Sequence, residues 1–200
     1  MISFLHFPID EVNVMKDRIL EAARKEIQKR GLRFTVGELA KQLGISTKTL
    51  YGHFPSKDEL IEVILNEAIL ELQVKERDIR SDSTLNTVDK LKKMLVLIPA
   101  DFQFIDTNLL IELQRYYPKQ WNILEQFINE QWDGIIELIN VGVDQGLLRS
   151  FNTKIFIDLY VGGLHRIIEG SPKSKNNSTL HDSLQEMGEI LMSGVFKKEG

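Results

Sequence analysis

Apolar residues recur every third or fourth position along almost the whole of this 200-residue chain, and nowhere do they alternate with polar ones over a strand's length. A period near 3.6 gathers them on one stripe of a helix, whereas a sheet needs a period of 2, so the expected fold is all-α. Val12, Met15, Ile19, Ala23 and Ile27 mark one face of a first helix, which Gly31 ends after the basic pair Lys29 and Arg30. Leu60, Ile61, Ile64, Leu65, Ala68 and Leu72 form a wider stripe over residues 56–77. Further helices are expected over residues 86–98, 118–146 and 153–169, and a last one carries Leu180, Leu184, Met187, Leu191 and Val195. The polar stretches 78–84 and 171–179 read as connections. About nine helices result, with no internal repeat.

The punctuation of residues 35–54 (TVGELAKQLGISTKTLYGHF) is more specific than its periodicity. Thr35 and Glu38 make a capping box, in which the hydroxyl accepts from a free amide and the carboxylate reaches back. Gly44 supplies a left-handed turn, and Ser46 or Thr47 can cap a second short helix that runs to Phe54. Leu39, Ile45 and Leu50 face inward, and Ala40 is small where the two helices cross. Two short helices joined in this way are a helix-turn-helix. Thr47, Lys48, Thr49, Tyr51 and His53 are left outward, a hydrogen-bonding face suited to base edges in a major groove. Ser56 and Glu59 repeat the capping signal ahead of the wide stripe.

Charge divides the chain in the same place. The formal net charge is −4, yet residues 13–57 carry ten lysines and arginines against four acids, a balance of +6, and residues 58–200 balance at −8. A basic quarter on an acidic body points to a polyanion-binding module of residues 10–57 joined to something else, residues 58–200. There is no cysteine, which excludes a disulfide scaffold, a thiol nucleophile and Cys-based metal sites. The four histidines (His6, His53, His165, His181) have no metal-ligand spacing, and no nucleophile elbow, phosphate loop or zinc-protease motif occurs. The chain is therefore read as neither an enzyme nor a cofactor or metal protein. Residues 1–9 lack the basic start of a leader, and no run of about 18 apolar residues exists, so the expectation is a cytoplasmic protein with no membrane partner.

These residues resemble the TetR family of bacterial transcriptional regulators. The likeness lies in RILEAA at residues 18–23, the helix-turn-helix, and LYGHFPSKDEL at residues 50–60, whose Tyr-x-x-Phe followed by Lys looks like the family signature. It covers about 50 residues. Carried onto matching positions, it implies that Thr35, Tyr51, His53 and Lys57 touch DNA phosphates, and that Ser46, Thr47, Lys48 and Thr49 lie nearest base edges or adjacent phosphates. Lys48 stands where many members have Gly, and Gly52 where many have a larger residue, so an operator cannot be borrowed from a relative.

The resemblance also implies that the acidic body senses a ligand and dimerises. Seven of the 16 aromatic residues fall within residues 102–132. Phe102, Phe104, Tyr116, Tyr117, Trp121, Phe127 and Trp132 suit an apolar pocket, with Met94, Glu137 and His165 as further wall or polar points; they equally suit an ordinary core. Gly162 and Gly163 in one late helix, and Leu184, Met187, Gly188, Leu191, Gly194 and Val195 in the last, suit close helix packing at a twofold interface, or the same packing within one chain. The expected function is a repressor that binds a palindromic operator as a homodimer and is released by a largely apolar or aromatic small molecule. An activator or ligand-independent co-regulator stays open, as does a helical protein-interaction scaffold.

Overall fold

The computed structural model describes residues 9–100, 108–169 and 179–196. Two compact units divide the chain, residues 1–66 and 67–200, and the division falls inside one helix. The first unit holds α1 (Ile9–Arg30), a 3-10 turn (Gly31–Arg33), α2 (Val36–Leu43), α3 (Thr47–His53) and the start of α4 (Lys57–Ser81). The second holds the rest of α4, then α5 (Thr87–Leu95), α6 (Asn108–Tyr116), α7 (Pro118–Glu130), α8 (Asp133–Asp144), α9 (Thr153–Glu169) and α10 (Leu180–Ser193). The all-α expectation holds: the sheet-like pairing among the described residues is one isolated bridge, Leu148 with Phe196. Among them no helix is long and apolar enough to cross a membrane.

In the first unit Ile19, Ala23 and Ile27 of the predicted α1 stripe are buried and Met15 is partly so, while the side chain of Val12 lies outside the described residues. Ile19, Ala23 and Ile27 lie against α2 and α3, joined in the interior by Leu39, Ala40, Leu50 and Phe54, and by Leu60, Ile61 and Ile64 of α4. Phe34 is only 1% exposed, so the link between α1 and α2 is itself anchored in the core.

The second unit packs α5 on α8, α9 on α10, α10 back on α5, and α6 on both α7 and α9. Leu91, Leu95, Ile139, Phe156, Leu184 and Met192 form the centre of its core. Gly134, near the start of α8, faces the side chains of Glu76, Arg80 and Met94, where a Cβ would collide, so the three elements approach closely there.

Three boundaries differ from the sequence expectation, the smallest being that the helix expected over residues 86–98 stops at Leu95. Helix α4 continues past residue 77 to Ser81, where its closing carbonyls are taken up: Lys90 Nζ donates to the Arg80 carbonyl at 2.7 Å and Ser81 Oγ to that of Asp78 at 3.1 Å. The single helix expected over residues 118–146 is two helices, broken at Gln131 and Trp132. No proline or glycine marks the break. Instead the Trp132 indole donates to the Ile128 carbonyl at 2.8 Å and its ring meets Tyr160 edge-on, centroids 5.2 Å apart. A tertiary aromatic contact overrides local helical periodicity here.

Candidate nucleic-acid interface

Helix α2 begins with the capping box its sequence encodes. Thr35, extended at φ −104° and ψ 154°, accepts from the Glu38 amide at 3.2 Å, and Glu38 Oε2 accepts from the Thr35 amide at 2.7 Å. Arg30, at the end of α1, donates to Glu38 at 2.9 Å and to Glu26 at 2.5 Å. With these donors around it, led by the Thr35 amide and hydroxyl, the Glu38 carboxyl is held well below the usual range, at about 2. The helix closes at Gly44, φ 68° and ψ 28°, whose amide turns back to the Ala40 and Lys41 carbonyls, with Ile45 bonding to Ala40 as well. A residue with a Cβ rarely adopts that backbone, so Gly44 fixes the direction in which α3 leaves.

Helix α3 is capped by Ser46, which accepts from the Thr49 amide at 3.0 Å. Leu50 and Phe54 are each 1% exposed and hold the helix down. That leaves Thr47, Lys48, Thr49 and Tyr51 exposed together on the opposite face, Tyr51 at 48%, with His53 half-buried beside them. Two hydroxyls of the predicted set are already engaged, since Ser46 Oγ and Thr49 Oγ1 lie 2.8 Å apart. Lys57, the first residue of α4, is partly buried. Its ammonium donates to the Leu32 carbonyl at 2.5 Å and the Phe34 carbonyl at 2.6 Å and sits 4.2 Å from the centre of the Phe34 ring.

The residues predicted for a ligand pocket do not form one set. Phe102 and Phe104 lie outside the described residues. Met94, Tyr117 and Trp121 are buried, and Phe127, Trp132 and His165 partly so. Tyr116 is 57% exposed, and Glu137 is exposed and paired with Arg80, so neither faces an interior. His165 Nε2 is buried without a hydrogen-bond partner, which is the polar feature of this set most in need of a ligand.

The predicted interface residues are largely taken up within the chain. Leu184 and Val195 belong to the core of the second unit, with Met187 and Leu191 packed against it. Gly188 faces Leu95 and Val96 of the α5 end, and Gly163 lies so close to Met187 that a Cβ would come within 2.6 Å of its sulfur. Gly162 and Gly194 are exposed. Sequence reasoning missed the exposed apolar residues of the last two helices: Ile155 and Leu159 on α9, 55% and 58% exposed, and Ile190 on α10 at 64%. Ile155, Leu159, Gly162 and Arg166 follow the i, i+4, i+7, i+11 spacing of a single face, about 100° round the helix from buried Phe156 and Tyr160, and that spacing was readable in the sequence. Among the described residues no group of three or more His, Asp or Glu is placed to hold a metal ion.

Residues 19–64 match the family described as bacterial regulatory proteins, tetR family, a stretch that contains α2, α3 and the start of α4. The chain is 32% identical over 185 residues to the uncharacterised HTH-type transcriptional regulator YvaF of Bacillus subtilis, covering 92% of this chain and 97% of that protein. It is 30% identical over 147 residues to the HTH-type transcriptional repressor KstR2 of Mycobacterium tuberculosis, covering 70% and 72%. The solved structure of the ketosteroid transcriptional regulator KstR2 superposes with a TM-score of 0.60 at 22% identity, covering 92% of this chain and 96% of that one, which shows the shared fold. These relatives are regulators, not enzymes. Capped helices, a left-handed glycine between them and an outward hydroxyl, lysine and phenol face are the same features by which a DNA-reading head is recognised, and the chain belongs to the TetR family of helix-turn-helix, DNA-binding transcriptional regulators.

Proposed function

We propose that this regulator is a repressor, that it binds a palindromic operator as a homodimer, and that a small molecule held in its second unit releases it. The observation that carries the reading is the exposed face of α3. Thr47, Lys48, Thr49 and Tyr51 present donors and acceptors on a helix whose other side is locked into the core by Leu50 and Phe54. Such a face reads base edges and adjacent phosphates, with Thr35 and His53 at its margins and Ser46 fixing the first turn. The head is proposed as residues 10–57 and the sensing and dimerising body as residues 58–200, with Leu60, Ile61 and Ile64 of the α4 start completing the core of the first unit. Similarity to a protein named as a repressor supports the sign of regulation.

Two half-sites on one side of a duplex lie about 34–36 Å apart, which requires two recognition helices related by a twofold axis. The surface that suits the contact is the exposed apolar face of α9, Ile155 and Leu159 beside Gly162, with Ile190 of α10. Tyr117 and Trp121, buried at the start of α7, favour an apolar or aromatic effector, and the buried nitrogen of His165 gives such a molecule one polar point. For release, the effector must prefer the state of the dimer that does not fit the operator; equal affinity for both states would shift nothing.

Selection of bound duplexes from a random pool, at two salt concentrations, tests this. The expected result is an enriched inverted repeat whose binding falls steeply as salt rises. Absence of duplex binding at both concentrations refutes the reading, and enrichment of a single half-site refutes the twofold dimer.

A further inference from the structure

The geometry points to Lys57 as a positioning residue that ties α4 to the phosphate-facing start of α2, in place of a direct phosphate contact; this rests on the DNA-binding reading. Lys57 is the first residue of α4, and its ammonium donates to the carbonyls of Leu32 and Phe34, 2.5 and 2.6 Å away. Both carbonyls belong to the link that joins α1 to α2. The ammonium also lies 4.2 Å from the centre of the Phe34 ring, and that ring is 1% exposed, so the charge is seated against a fixed aromatic face. An ammonium has three donors, and two of them point at backbone oxygen.

A second clamp holds the same link from the other side. Arg30 of α1 donates to Glu38, and Glu38 accepts from the Thr35 amide. Residues 31–35 are thus gripped at both ends, by Lys57 from α4 and by Arg30 with Glu38 from α1 and α2. The link leads directly into the first turn of α2, with Thr35 as its cap and the open amides of a helix N-terminus, a natural seat for a phosphate. A displacement of the first turn of α4 therefore pulls on the start of α2 through two charge-assisted hydrogen bonds. Because α4 continues beyond the division between the two units, this is a route by which occupancy of the body reaches a DNA contact that Lys57 itself does not make.

The test compares the full-length protein with Lys57→Met, which keeps the length of the side chain and removes its charge. Operator affinity is measured across a salt series, and amide exchange is followed over residues 31–38. The expected result is an affinity loss of about tenfold with faster exchange in the link and an unchanged salt slope. A slope that falls by about 0.9 for each lost contact, with exchange unchanged, is the signature of a direct phosphate contact and overturns the proposal. Should Lys57→Met fail to fold, nuclear magnetic resonance of the wild-type lysine ammonium in the operator complex decides the matter. Scalar coupling to the Leu32 and Phe34 carbonyls supports the clamp, and coupling to phosphorus overturns it. Wild-type protein that binds no duplex removes the DNA reading and this proposal together, whereas normal wild-type binding with a reduced slope in the variant removes this one alone.

Discussion

Thr35 and Glu38 satisfy each other's backbone: the Thr35 amide donates to the Glu38 carboxylate at 2.7 Å, and the Glu38 amide donates to the Thr35 hydroxyl at 3.2 Å. Two donors that a helix start leaves open are closed by one pair of residues. The pairing has a pH consequence. The folded-state carboxyl of Glu38 lies at about 2, below its ordinary value of 4.5, so its stabilising contribution is complete above 4.5 and is lost as pH falls from there toward 2. Glu38→Gln keeps an acceptor at the same place but does not titrate. Melting temperatures measured down that pH range should fall more steeply for the wild type than for the variant. Superimposable acid limbs would show that the carboxylate is not held by its partners.

Gly44 gives a second prediction, because its cost on substitution has a single source. A Cβ built there meets no atom within 4 Å, yet the backbone sits at φ 68°. Gly44→Ala should therefore lower stability by about 1 kcal/mol through backbone strain alone, and Gly44→Asn by less, since asparagine tolerates the left-handed region. Denaturant unfolding of the two variants checks this. Equal losses would point to a cause other than φ.

The hydroxyl of Tyr160 donates to the Leu95 carbonyl in the interior of the second unit, and burial pushes its phenol up from the ordinary tyrosine value. Tyr160→Phe keeps the edge-on contact with Trp132 and leaves that carbonyl unpaired. A loss of about 1–3 kcal/mol in unfolding free energy is expected, with helix content unchanged. A neutral result would mean that water reaches Leu95 in place of the hydroxyl.

The features legible in the sequence are those that depend on neighbours in the chain. The Thr35 box, the Gly44 turn, the Ser46 cap and the small Ala40 at the crossing come from residue type at fixed local spacing, and each takes its expected place; of the inward set Leu39, Ile45 and Leu50, the two leucines are buried and Ile45 only partly so. The break at Gln131 and Trp132 could not be read, because its cause, Tyr160, lies 28 residues from Trp132 in sequence. Lys57 shows the same limit for the site. Its type and position match the family pattern, but the carbonyls it meets belong to Leu32 and Phe34, which only the fold brings to it. The α10 stripe shows it again: periodicity marks Leu184 and Val195 as apolar-facing without saying whether the facing surface is α5 and α9 or a second copy.

That ambiguity yields the last prediction. Leu184 is 5% exposed and part of the core, whereas Leu159 is 58% exposed on the apolar face of α9. Leu184→Ala should cost about 2–5 kcal/mol of stability, as truncation of a buried leucine does, with any effect on association arising from unfolding. Leu159→Glu removes no intrachain packing of that kind but places a carboxylate on the face proposed to meet its twin, where two such charges confront each other about the twofold axis. Sedimentation equilibrium should find the wild type dimeric and Leu159→Glu monomeric, with the helical circular dichroism of the two alike. The monomer should also lose the inverted-repeat preference while keeping weak, salt-sensitive binding, because one head still reads one half-site. If Leu159→Glu remains a dimer and Ile155→Glu does too, the interface lies elsewhere, and the exposed stripe of α9 is left to some other contact.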